Sequence, residues 1–95
     1  MTVICLRGLS PCHVAEIGGR AHSMIERGLA DTWRVASTED GEQYVSIERL
    51  DDDGEEEALF TVGRASDGTF YALNARGRPV ATSRNLASVL ARLSR

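Results

Sequence analysis

Ninety-five residues, 42% of them apolar, hold enough material for one compact core and not for two, so a single domain over residues 1–95 is expected. The formal charge of −3 is unevenly spread: residues 39–57 carry ten acids against Arg49 alone, whereas residues 58–95 balance at +5. Two cysteines are too few for a disulfide framework, and no run approaches the roughly 20 apolar residues of a membrane span, which leaves the expectation of a reduced, cytoplasmic protein with no membrane partner.

Thr2-Val3-Ile4-Cys5-Leu6 is a short apolar, β-branched run and reads as a strand over 2–6. Ser10-Pro11 then announces a helix: the serine hydroxyl accepts an orphan backbone N–H, and the fixed φ of proline suits the first helical position. Val14, Ile17, Ala21, Met24 and Ile25 form one apolar stripe, and Gly28 is a natural stop, so a helix is placed over 11–28. Gly18-Gly19 breaks the propensity of that helix, which implies either a bend or a close neighbour against its backbone.

From Thr32 the apolar period becomes alternating. A three-residue loop, Glu39-Asp40-Gly41, with glycine in the left-handed position pairs Val35 with Val45 and Trp33 with Ile47, putting four apolar side chains on one face. A two-residue loop would set Glu39 opposite Glu42 and mix the faces. Asp67-Gly68 carries the signal of a two-residue turn, which pairs Val62 with Leu73 and Arg64 with Tyr71. Arg76-Gly77 turns the chain again, pairing Leu73 with Val80, and Pro79 sends that last strand to a sheet edge because it lacks an amide donor. Ser83 is a second N-cap, and Leu86, Val89, Leu90 and Leu93 make a helical stripe over 84–94.

The expectation is an α+β fold: an antiparallel meander of four to five strands over residues 32–82, with both helices packed on one face. Its sheet core comprises Trp33, Val35, Val45, Ile47, Phe60, Val62, Leu73 and Val80. The opposite face carries Arg34, Ala36, Tyr44, Ser46, Leu59, Thr61, Gly63, Phe70 and Ala72, too apolar for plain solvent surface.

Chemistry-bearing residues are sparse. Cys12 lies in the first turn of a helix beside His13, an environment that favours a thiolate, but adjacent helical residues point about 100° apart and no third group orients a base. Cys5, Cys12, His13 and His22 lack the spacing of a structural zinc site. The run Asp51-Asp52-Asp53-Gly54-Glu55-Glu56-Glu57, aligned on its glycine as a calcium loop, puts Arg49 and Phe60 where carboxylates belong, and reads instead as a solvated loop between strands. No metal, cofactor or catalytic residue is therefore assigned.

The reading that remains is a non-catalytic protein-binding or self-associating module, using Arg34, Tyr44, Leu59 and Phe70 on the second face or an exposed strand edge. The rivals are nucleic-acid binding through Arg64, Arg76, Arg78 and Arg84, which the acidic overall charge disfavours, and a thiol-dependent enzyme or redox switch at Cys12.

Overall fold

Residues 8–93 are described by a computed structural model; the strand expected over 2–6 lies outside them. Helix α1 spans Pro11–Glu26 and opens as the residues require. The Ser10 hydroxyl accepts from His13 N at 3.4 Å, and His13 Nδ1 accepts from Ser10 N at 3.1 Å, a reciprocal box in which histidine fills the place usual for Glu or Gln. At the other end Gly28 takes φ +74°, so Leu29 N reaches Met24 O at 2.8 Å and Gly28 N reaches Ile25 O at 3.1 Å.

Five strands follow: β1 (Thr32–Ser37), β2 (Gln43–Leu50), β3 (Glu56–Arg64), β4 (Phe70–Leu73) and β5 (Pro79–Ser83), then a short helix α2 (Leu86–Leu90). They form one open antiparallel sheet in chain order, the meander expected from the alternating pattern. Helix α1 packs on β1 and β2, helix α2 on β4 and β5, and Arg20 Nε donates to Leu90 O at 3.0 Å between the helices. Beneath them lie Val45, Ile47, Val62, Phe70 and Ala72 from the sheet, with Ile17, Ala21 and Met24 from α1 and Leu86, Val89, Leu90 and Leu93 from the C-terminal segment.

All four hairpins close in the same way. In each, a three-residue loop ends on a glycine at positive φ: Gly41, Gly54, Gly68 and Gly77, between +77° and +90°. Each glycine N donates to the residue three before it, and that residue's own N donates across the loop, as in Thr38 N to Glu42 O and Ala65 N to Thr69 O. This is a type I turn followed by a left-handed glycine, the arrangement that fits the twist of the flanking strands. A side-chain oxygen at the first loop-flanking position steadies three of them, from Thr38, Asp51 and Asn74. Ala65 has no such oxygen, and there Asp67 accepts from Thr69 N instead.

That difference corrects the third hairpin. A two-residue Asp67-Gly68 turn of type I′ needs positive φ at both residues, and among the described residues no non-glycine residue has it. The real loop is one residue longer, so Val62 pairs with Ala72 and Arg64 with Phe70. A shift of one residue turns every side chain of β4 over: Phe70 and Ala72 are buried in the core, and Tyr71 and Leu73 stand on the second face. The fourth hairpin also has the longer loop, pairing Leu73 with Pro79 rather than Val80, but a bulge restores the expected register at Ala72–Ala81 and beyond. A second bulge, between Ile47 and Glu48 of β2, leaves Leu59 as the extra residue of β3 and turns it toward the core cluster instead of the second face. The first hairpin has the expected register throughout.

Helix α2 is shorter than the span 84–94. Ser83 belongs to β5 and its Oγ accepts from Asn85 N, while Asn85 is the N-cap and accepts from Ala87 N at 3.0 Å. The apolar stripe Leu86, Val89, Leu90 and Leu93 is buried all the same.

The glycine pair in α1 divides into two cases. An added Cβ on Gly18 would stand 2.6 Å from Trp33 Cη2, so the indole of β1 lies directly on the helix backbone; Gly19 is exposed with nothing near it. Gly19→Ala is therefore expected to raise stability by about 0.5–1 kcal/mol. Gly18→Val should lower it by about 1–3 kcal/mol by displacing the indole. Urea melts followed by Trp33 fluorescence check both, and equal effects at the two sites would contradict the packing.

Candidate interaction surface

The second face of the sheet carries Arg34, Tyr44, Ser46, Glu48, Thr61, Gly63 and Tyr71, brought together by the pairings Arg34–Ser46, Ser46–Thr61, Tyr44–Ala36 and Gly63–Tyr71. Much of it is closed upon itself. The Glu48 side chain is only 4% exposed; its Oε2 accepts from Arg34 Nε and from Ser46 Oγ, each at 3.2 Å, while Oε1 is buried without a partner. Tyr71 lays its ring over Gly63, in the space where any Cβ would sit, an aromatic covering a cross-strand glycine. Burial pushes the Tyr71 phenol above its ordinary value of 10.0, with Glu42 and Tyr44 adding to the effect.

Of the four residues expected to form a surface here, Arg34 is exposed and tied to Glu48, Tyr44 is half-buried, Leu59 packs against the core cluster, and Phe70 lies inside on the opposite face. Glu48 is the member that pattern reading left out. Its signal was present: it directly follows Ile47 in the alternation, two residues from Ser46 and opposite the Arg34 side of the first hairpin.

The Arg34–Glu48 contact gives a further expectation. Arg34→Ala leaves the buried carboxylate with one donor, and the loss should be about 1–2 kcal/mol, at the low end for a charged hydrogen bond because the guanidinium is mostly in water. Adding Glu48→Gln to that variant should recover part of the loss, since a neutral amide is cheaper to bury than a lone charge. Chemical denaturation of the single and double variants measures both effects.

The arginines separate into two groups. Arg64 shares the core face with Phe70, its guanidinium 5.5 Å from the ring centroid and its Nε buried without a partner. Arg76 and Arg78 are exposed on the last hairpin, and Arg84 follows β5. Arg84 also lies close enough to Asp67 to help hold that carboxyl below its ordinary value, an effect due first to the hydrogen bonds from Thr69. Cys12 is exposed at the start of α1. The neighbouring His13 is engaged elsewhere, accepting from the Ser10 backbone through Nδ1 and meeting the Phe70 ring edge-on at 4.8 Å. His22 pairs with Glu26 at 3.1 Å on the exposed side of α1. Among the described residues, no three of His, Cys, Asp and Glu converge as metal donors.

The outer edge of β5 offers a different kind of surface. Among the described residues, β5 is the last strand in the sheet and pairs with β4 on one side only. Beside it a cleft of about 500 Å³ is lined by Pro79, Val80, Ala81, Thr82 and Ser83 along the strand and by Ser88 and Arg92. The edge position follows from Pro79, as the missing donor requires. The wall opposite could not be read from pattern, because it depends on how α2 folds back over β4 and β5. No family model, no curated protein and no solved structure matches this chain.

Proposed function

We propose that this chain is a non-catalytic protein-binding or assembly module that takes an extended segment by strand addition along β5. The observation that carries the reading is the cleft itself: five consecutive residues of an edge strand form one side, and Ser88 and Arg92 stand on the other. An unpaired edge presents a row of backbone donors and acceptors that a second strand completes, and a wall beside it supplies side-chain pockets for selectivity. The second sheet face supports binding less well, because Glu48, Ser46 and Arg34 are engaged with one another and Tyr71 fills the space over Gly63. A nucleic-acid surface built on Arg64, Arg76, Arg78 and Arg84 lacks its stacking partner, since Phe70 is buried.

The test is to pan a library of random peptides against the folded, isotope-labelled chain and map the hits by amide shifts. Perturbations centred on Val80–Ser83 and Ser88–Arg92 are expected. Hits that move Arg34, Tyr44 and Tyr71 instead would transfer the site to the second face, and binding of single-stranded DNA with a steep salt dependence would replace the reading altogether.

A further inference from the structure

We infer that the segment received by the β5 cleft is the acidic β2–β3 hairpin of a second copy of this chain, an inference that rests on the strand-addition reading above. Four observations point to this occupant. The first is an unequal pair of strands. β3 runs from Glu56 to Arg64, but β4 pairs only with Thr61–Arg64, so among the described residues Glu56–Phe60 have β2 on one side and no strand on the other. This open stretch is five residues long, the length of β5.

The second observation is charge. Residues 51–57 carry six acids and no base. The receiving edge is bracketed by Arg78 before β5 and Arg84 after it, with Arg92 in the cleft wall, and Asp67 is the one acid between residues 58 and 95. Each surface alone repels its own kind, and the two attract each other. The third is Leu50, a large apolar side chain 45% exposed on the same hairpin. The fourth is topological: within one copy β4 stands between β3 and β5, so the hairpin cannot fill its own cleft.

Because donor hairpin and receiving cleft are different surfaces, the contact is head-to-tail, and it propagates into a ring or an open chain rather than stopping at a two-fold pair. Its attraction acts between solvent-exposed charges and is screened by salt.

The experiment uses the full chain in sedimentation velocity from micromolar to millimolar concentration, at low and high salt. The expected result is a weight-average mass that rises with concentration and falls with salt. The charge-reversed cleft, R78E/R84E/R92E, and the charge-reversed hairpin, D52K/D53K/E56K/E57K, should each weaken self-association by about tenfold or more. Their equimolar mixture should associate again, since each restores the complement of the other. Circular dichroism and melting of each variant establish that both are folded. A wild-type chain that stays monomeric at low salt overturns the inference, as do folded variants that associate like the wild type or a mixture that does not recover. If the chain is monomeric and peptides still shift the Val80–Ser83 amides, the self-assembly inference fails and strand addition stands. If neither occurs, both fail.

Discussion

Replacing Phe70 by alanine is expected to destabilise the protein by about 3–5 kcal/mol, the cost of emptying a buried aromatic site. Phe70 is 6% exposed beneath the helices, meets the His13 ring at its edge and carries the Arg64 guanidinium on its face. Its loss therefore removes packing from the start of α1 and from the end of β3 together. The neighbouring Tyr71 is half-buried on the other face, and Tyr71→Ala should cost distinctly less. The pair distinguishes the two registers of the third hairpin: a two-residue turn would bury Tyr71 and expose Phe70, and the order of the two losses would reverse. Urea denaturation of both variants, compared at constant m-value, reads the outcome.

The second large effect is expected at Ile47. Its side chain is fully buried between Trp33 of β1 and Phe60 of β3, so Ile47→Ala should cost about 2–5 kcal/mol. Val35 shares that face and the same hairpin, but it lies on β1, the outer strand among the described residues, and is 42% exposed. Val35→Ala should therefore change stability by no more than about 0.5 kcal/mol, as exposed positions do. Comparable losses at the two positions would mean that Val35 is buried like Ile47 and contradict its exposure.

Much of the fold was legible because local chemistry and periodicity agree with each other. Ser10-Pro11 and Gly28 bracket α1, alternation from Thr32 places the strands, and the Glu39-Asp40-Gly41 loop sets the first register without error. The third hairpin departs from its local pattern for a specific physical reason. Asp67-Gly68 satisfies the composition of a two-residue turn, yet Asp67 is there to accept from Thr69 N in a longer loop whose first position, Ala65, has no side-chain acceptor. The bulges that leave Leu59 and Val80 as extra residues have no composition of their own, since they arise when twisted strands meet the packing demands of neighbours. The candidate site was half legible. Pro79 marks the edge strand, but the cleft needs Ser88 and Arg92 opposite it, and their position depends on tertiary docking that no local pattern encodes. Glu48 is hard to read as a buried group because a buried carboxylate contradicts the general rule for charged residues until its partners are known.

The four matching loops bear on how the chain reaches this structure. Every strand pairs with the next one in sequence, so each hairpin closes over a span of three residues and needs nothing distant to be in place first. Low sequence separation of contacts goes with rapid folding. The sheet is thus expected to zip from whichever hairpin nucleates, leaving the docking of α1, held by Arg20 to Leu90 and by His13 to Phe70, as a closure that spans most of the chain.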